Sequence, residues 1–164
     1  MREHTCSFTG HRPHKLPWGS IESDPRCTAL KEELYARLEG IYSMGYRHFL
    51  CGMATGCDTY FAEAVLKLKG LYPDVSLEAV LPCAGQADKW SAADKARYLG
   101  ILERCDKKTL VQENYTPDCM QRRNRRMVDN SSLLLACYDG RFGGTMSTIL
   151  YAQRSGLQVL LIEL

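Results

Sequence analysis

Apolar residues occur along the chain in two alternating patterns, short continuous runs and longer segments with a helical period. Continuous runs are typical of buried strands, and apolar positions three or four residues apart are typical of amphipathic helices. The runs predict strands at 6–9, 46–52, 75–82, 107–112, 132–138 and 158–164. The periodic segments predict helices at about 27–44, 58–69, 91–104, 116–130 and 145–154. Because strands alternate with helices, we expect an α/β fold, a single Rossmann-like domain over residues 1–164 with a mainly parallel sheet and helices on both faces.

Specific residues mark two of the helix boundaries. Gly45 follows the first periodic segment, as glycine commonly does at the end of a helix. Thr116 and Pro117 have the N-cap and N1 signature, which predicts that the fourth helix begins there.

Composition and charge exclude some classes of protein. The chain has 164 residues, of which 45% are hydrophobic and 24% charged, and a net charge of +2 that predicts neither strong attraction to nucleic acid nor repulsion from it. No apolar run approaches the roughly 20 residues needed to cross a bilayer. The N-terminal residues lack the long apolar region of a secretory signal, so we expect a cytoplasmic protein without a membrane partner.

Eight cysteines raise the question of disulfides or a metal. They contain no C-x-x-C pair, and several lie inside apolar strands, where cysteine behaves as a small hydrophobic residue. His4, Cys6, His11 and His14 are close in sequence but match no common zinc pattern. We therefore expect reduced thiols and no metal site.

The loops that follow the strands carry the candidate chemistry. In this fold class the ligand lies at the carboxyl ends of the strands, near the point where the strand order reverses. Glycine allows backbone N–H groups to approach a ligand, and a helix N-terminus attracts an anion. The glycine turn 143–145, which follows a strand and opens a helix, therefore predicts an anion pocket. The candidate ligand-binding residues in these loops are Gly10, His11, Arg12, Gly52, Gly56, Asp58, Gln86, Asp139, Gly143, Gly144 and Thr145.

Several of these residues have a structural interpretation beside the functional one. Asp58 begins a helix, and N-capping is its favoured role, with ribose binding as the alternative. Asp139 either shapes the turn before Gly140 or contacts ligand. His11, beside Arg12, is the candidate titrating group of the first loop, but the sequence gives it no visible partner.

An arginine cluster lies on the predicted fourth helix. Met120, Asn124, Met127 and Val128 form its predicted buried face, which leaves the arginines toward solvent. Alternatively, Arg123 or Arg125 reaches the cleft and pairs with phosphate, which suits the planar guanidinium.

Two standard nucleotide motifs are absent. The chain has no G-x-x-x-x-G-K-[ST], which excludes a P-loop hydrolase. "GMATG" lacks the third glycine of G-x-G-x-x-G, so dinucleotide oxidoreductase chemistry is poorly supported.

Three segments carry a resemblance to a known superfamily. "FTGHRP", "CGMATGCDTYFAEAVL" and "RRNRRMVDNSSLLLACYDGRFGGTMST" resemble, in order, segments of the DNA-processing protein family DprA/Smf. The full pattern is most similar to the YpsA/YoqJ-like family of small bacterial and phage proteins, a branch of the SLOG superfamily of Rossmann-like folds. The resemblance implies a pocket for a nucleotide or a nucleotide derivative.

Departures from the related families limit which function is expected. LOG-type phosphoribohydrolases carry a catalytic glutamate after their glycine loop, where this chain has Thr148. We therefore favour a nucleotide-binding sensor or regulatory module without established catalysis. We expect it to require no cofactor and to bind a nucleotide, NAD or an ADP-ribose-like molecule, and a homo-oligomer is compatible with the sequence. The alternatives are a nucleotide-processing hydrolase that uses Asp58, Asp139 or His11 and, with weaker support, a single-stranded DNA-binding protein.

Overall fold

Six parallel strands form one sheet in the computed structural model, which describes residues 2–164. The strands are β1 (Thr5–Thr9), β2 (His48–Cys51), β3 (Ser76–Leu81), β4 (Lys107–Leu110), β5 (Leu133–Tyr138) and β6 (Gln158–Glu163). The helices are α1 (Pro25–Ser43), α2 (Cys57–Leu71), α3 (Ala92–Arg104), α4 (Cys119–Asp129) and α5 (Gly144–Arg154). None of the helices within residues 2–164 is both long and apolar enough to cross a membrane. The predicted α/β fold is confirmed.

The strand order β4-β3-β2-β1-β5-β6 positions the site. The chain builds the sheet outward from β1 to β4 and then crosses to the other side of β1 to add β5 and β6. Thr9 at the end of β1 lies beside Ala136 of β5. The loops after β1 and β5 leave neighbouring strands at the reversal point, where a crevice forms in sheets of this kind.

Helices cover both faces of the sheet. The larger core lies under α1, α2 and α3, where the rings of Phe8 and Phe61 stack with their centroids 4.4 Å apart. A smaller core lies between the sheet and helices α4 and α5, and Val128, Leu134 and Ile149 belong to it. The seven cysteines that are fully buried contribute to this packing as thiols.

Buried hydroxyl groups fix α4 against β1. The Ser7 hydroxyl of β1 donates a hydrogen bond to the Met127 carbonyl over 2.8 Å, and Ser131 donates to the same carbonyl over 2.7 Å. Both serines are fully buried. Because these bonds satisfy a carbonyl near the end of α4, they hold the last turn of the helix against the middle of β1.

Two predicted helix starts are wrong, and Gly45 is confirmed as the end of α1. Helix α1 begins earlier, at Pro25, because the Asp24 side chain caps it by accepting from the Arg26 N–H over 2.9 Å. Helix α4 begins later than predicted, at Cys119. The Thr116 hydroxyl is not its cap, because it donates to the Asp118 carboxylate over 2.7 Å. Gly45 has φ of 104°, the left-handed conformation expected after a helix C-terminus.

Candidate functional site

A cleft of about 280 Å³ opens between the loops that follow β1 and β5. Its walls come from the β1 loop, the loop before α2, the first half of α4 and the first turn of α5. Predicted site residues that line it are Gly10, His11, Arg12, Asp58, Arg123, Gly144 and Thr145. The topology therefore brings residues from four distant parts of the chain to one place.

Arg123 is a buried cation in the wall of this cleft. Only 4% of the residue is exposed, so the expectation that Asn124 rather than Arg123 occupies the buried face of α4 is wrong. The guanidinium donates to the Gly52 carbonyl over 2.6 Å and to the Asn124 side-chain oxygen over 2.7 Å. Burial lowers the pKa of Arg123, and the nearby charge of Asp58 opposes this change. The hydrogen bonds of the guanidinium go to uncharged groups, and the Asp58 carboxylate acts on it through its nearby charge.

Gly52 and Gln86 do not line the cleft, but they fix the position of Arg123 in its wall. A Cβ atom at Gly52 would lie 2.6 Å from the Arg123 guanidinium carbon, so only glycine permits this approach. The Gln86 amide donates to the Gly52 carbonyl over 3.3 Å. These two predicted ligand-binding residues therefore hold the arginine in place.

Asp58 closes the loop before α2. The N-cap of α2 is Gly56, so the predicted N-cap role of Asp58 is wrong. Its carboxylate instead accepts the Ala54 N–H over 3.0 Å, because the side chain points back across the loop. Burial raises the pKa of Asp58, although the Arg123 charge and the Ala54 hydrogen bond act in the opposite direction.

Gly56 and Gly10 join the β1 loop to the start of α2. Gly56 has φ of 84°, and a Cβ atom there would lie 2.7 Å from the His11 carbonyl oxygen. That carbonyl accepts the Cys57 N–H over 3.1 Å. A Cβ atom at Gly10 would lie 2.6 Å from the Cys57 Cβ. The two glycines thus allow the β1 loop to lie close to the start of α2, and this sets the position of His11.

His11 has two partners that sequence reasoning missed. Its Nε2 lies 2.9 Å from an Asp139 carboxylate oxygen, and its Nδ1 lies 3.3 Å from the Thr145 hydroxyl. Burial acts to raise the pKa of Asp139, but hydrogen bonds from Arg141 and His11 outweigh it and hold the pKa at about 2. Asp139 is therefore ionised at neutral pH and favours a proton on Nε2. In that tautomer Nδ1 accepts a hydrogen bond from the Thr145 hydroxyl.

Lys15 and the start of α5 add positive potential. The Lys15 ammonium lies so close to Gly143 that a Cβ atom there would collide with it. Gly143 is the N-cap of α5 and provides no side-chain cap, which leaves the first N–H groups of the helix for another acceptor. Lys15 was not predicted, although the basic run of Arg12, His14 and Lys15 directly after β1 was a usable signal.

Arg125 and Gly143 line a neighbouring groove between α4 and α5 and do not line the cleft itself. The Arg125 guanidinium lies over the Tyr151 ring, 5.0 Å from its centroid. The two arginines considered in the sequence analysis therefore face different cavities.

A comparison with known proteins identifies the family of this chain. The YspA SLOG family matches residues 6–157. The chain belongs to this family. An UPF0398 protein of Bacillus pumilus is 29% identical over 142 residues, which cover 85% of this chain and 75% of that relative. An uncharacterized SPbeta prophage-derived protein, YoqJ of Bacillus subtilis, is 29% identical over 147 residues, 82% of this chain and 86% of YoqJ.

Solved structures of DNA processing protein A share the fold of this YspA SLOG family member. The Streptococcus pneumoniae protein superposes with a TM-score of 0.64 at 17% identity, over 97% of this chain and 50% of that protein. The Helicobacter pylori protein superposes with a TM-score of 0.64 at 15% identity, over 96% of this chain and 64% of that protein. The chain thus spans half to two thirds of these larger proteins, and the likeness concerns the fold alone.

Proposed function

We propose that the cleft binds the phosphate of a nucleotide or nucleotide derivative, and that the protein acts as a nucleotide sensor or regulatory module. The observation that carries this proposal is the buried Arg123 guanidinium, whose hydrogen-bond partners are all neutral. A buried charge is costly unless an opposite charge meets it. Asp58 supplies a nearby negative charge, but the hydrogen bonds of the guanidinium go to neutral groups, and a phosphate in the cleft would supply further negative charge and charged hydrogen-bond acceptors.

Further features of the cleft support an anionic ligand. Arg12, Lys15 and the first turn of α5 face the same cavity as Arg123. A helix start with free N–H groups is a common phosphate site. The Helicobacter pylori relative in fold is described as binding single-stranded DNA, which also carries phosphate. The cleft is thus suited to a phosphate-bearing molecule.

Thr148 favours binding over N-glycosidic hydrolysis. The resemblance to LOG-type enzymes implies a catalytic glutamate at this position, and the Thr148 hydroxyl instead donates to the Gly144 carbonyl over 2.9 Å. A hydroxyl engaged within its own helix cannot serve as a carboxylate base or stabilise positive charge on a sugar. We therefore propose a binding role without chemistry as the main function.

Substitution of Gly144 tests the phosphate site. A Cβ atom there would meet no atom within 4 Å, so Gly144→Asp and Gly144→Asn should both fold. We expect Gly144→Asp to weaken AMP binding by about a hundredfold or more, because it places a negative charge beside the anion. Gly144→Asn has nearly the same size and no charge, and should lose much less affinity.

The measurement is calorimetric affinity for AMP and for adenosine, with circular dichroism as the folding control. Adenosine lacks the phosphate and should bind weakly to all three proteins. Equal binding of AMP by the Gly144→Asp variant and the parent would show that no phosphate lies at this turn.

A hydrolase is the second candidate. The observation that favours it is the row of hydrogen-bonded side chains formed by Thr145, His11 and Asp139. A hydroxyl, an imidazole and an ionised carboxylate in sequence resemble the arrangement of nucleophile, base and orienting group in acyl-transfer enzymes. The distance of 3.3 Å between Thr145 and His11 is longer than in an activated pair, though such bonds often tighten when substrate binds.

Turnover distinguishes the two candidates. With nucleoside monophosphates as substrates, we expect release of neither free base nor phosphate at an enzyme-like rate, measured by chromatography and a phosphate assay. Turnover of about 1 per second or faster, lost in His11→Ala and Asp139→Asn variants, would establish the hydrolase instead.

A further inference from the structure

A second cavity adjoins the cleft along helices α4 and α5. It has a volume of about 370 Å³ and continues from the first turn of α5 toward Tyr151 and Arg154. Met120, Asn124 and Gly144 line both cavities. A ligand seated in the cleft therefore has a direct route into this groove past Gly144, where no Cβ atom intrudes.

The groove presents a flat aromatic surface and positive charge. The Tyr151 hydroxyl donates to an Asp129 carboxylate oxygen over 2.7 Å, which fixes the orientation of the ring. The exposed Arg125 guanidinium lies over this ring at 5.0 Å, and the exposed Arg154 lies in the last turn of α5. A planar base can stack on either the guanidinium or the aromatic ring. The guanidinium can also donate two parallel hydrogen bonds to a phosphate.

The two volumes bear on the size of the ligand. Small-molecule sites typically measure about 300 to 1,000 Å³. The cleft of about 280 Å³ and the groove of about 370 Å³ each lie near the lower limit. Each would hold one nucleotide unit, and a molecule with two units would need both.

We infer that the ligand carries two nucleotide units, with the second unit held in the groove on Tyr151 and Arg125. This inference rests on the proposed function, because it assumes that the first unit occupies the cleft. The phosphates that join the two units would lie at Gly144, where the cavities meet. Two kinds of ligand contain two linked nucleotide units. One is a dinucleotide joined by a 5′–5′ pyrophosphate, and the other is a short strand joined by 3′–5′ phosphodiester bonds.

The experiment compares Arg125→Ala with Arg122→Ala. Both arginines are exposed on α4, but Arg122 lines neither cavity. Affinities for AMP, NAD and the dinucleotide pApA are measured by calorimetry, with circular dichroism to check folding. We expect NAD or pApA to bind the parent at least about tenfold tighter than AMP, and Arg125→Ala to remove most of that gain. AMP affinity should stay unchanged in both variants, and Arg122→Ala should behave as the parent with every probe.

Each outcome has a defined meaning. The probe that gains affinity identifies the linkage, pyrophosphate for NAD and phosphodiester for pApA. If AMP binds but neither two-unit probe binds more tightly, or if Arg125→Ala leaves their gain intact, the second subsite is overturned while the proposed function stands. If no nucleotide binds the parent protein, the proposed function fails and this inference fails with it.

Discussion

At the scale of single residues, the cleft depends on close approaches that only glycine permits. Gly52 allows the Arg123 guanidinium to lie against the backbone, and Gly56 allows the His11 carbonyl to accept a hydrogen bond from α2. Neither glycine lines the cleft. Their role is to position the charged and titratable side chains that do.

Alanine at Gly56 and alanine at Gly100 should change stability in opposite directions. Gly56→Ala places a Cβ atom 2.7 Å from a backbone oxygen at φ of 84°, and we expect a loss of about 1 to 3 kcal/mol in the free energy of unfolding. Gly100 lies inside α3 with no atom within 4 Å of a Cβ, so Gly100→Ala should gain roughly 0.5 to 1 kcal/mol. Urea unfolding measures both. Equal stability of Gly56→Ala and the parent would contradict the proposed packing.

At the scale of elements, one arginine connects the helices on the larger face of the sheet. Arg97 of α3 binds both carboxylate oxygens of Glu63 in α2 and both of Glu22 in the segment before α1, with distances of 2.6 to 2.9 Å. A bidentate arginine–carboxylate pair restricts the relative orientation of its two side chains more than a single hydrogen bond does. The network holds the segment before α1 against α2 and α3.

This network predicts a pH dependence of stability. The Arg97 hydrogen bonds lower the pKa of Glu22 from 4.5 to about 2. A carboxyl group whose pKa is lowered in the folded state stabilises the protein above its unfolded pKa and loses that effect as the pH falls through the folded value. Glu22→Gln should therefore be less stable than the parent at pH 7, and the difference should shrink between about pH 4.5 and 2.

Urea unfolding at pH 7, 5, 4 and 3 measures this difference. Glu33→Gln is the matched control, because Glu33 pairs with Arg37 on the exposed surface of α1 and should contribute little at any pH. A difference between Glu22→Gln and the parent that stays constant with pH would contradict the assignment.

At the scale of the whole molecule, the reversal of strand order creates the cleft. The chain has a net charge of only +2, yet Arg12, Lys15 and Arg123 face one cavity. A nearly balanced chain thus holds a local concentration of positive charge. Ligand binding there would join the β1 loop, α4 and α5, and so stabilise the entire fold.

A thermal-shift measurement tests this coupling. At 100 times its Kd, a ligand that binds only the folded state adds about 2.7 kcal/mol, which corresponds to roughly 5 to 10 °C for a chain of this size. We expect AMP to raise the Tm by this amount and adenosine to raise it little. Gly144→Asp serves as the control, and at the same AMP concentration a hundredfold loss of affinity should reduce the shift to about 1 °C or less. A shift of equal size with adenosine and AMP would exclude a phosphate-dependent site.

The sequence by itself determined the strands and helices and indicated which loops surround the cleft. Hydrophobic periodicity is a local property, so the six strands and five helices of residues 2–164 follow from it. The bounds differ by a few residues, most notably at the starts of α1 and α4, where the Asp24 and Thr116 side chains make hydrogen bonds that the pattern does not indicate. Glycines and polar residues after strands indicated the loops around the cleft, because parallel strands end at one edge of a sheet.

Only the tertiary structure decided which side chains meet. His11 and Asp139 are separated by 128 positions, and no local pattern relates them; the order of β1 and β5 in the sheet brings them to 2.9 Å. Arg123 is buried because the close approach of Gly52 makes room for it, which no charge pattern on α4 reveals. Side-chain contacts across a sheet depend on strand order and packing, and those are properties of the whole fold.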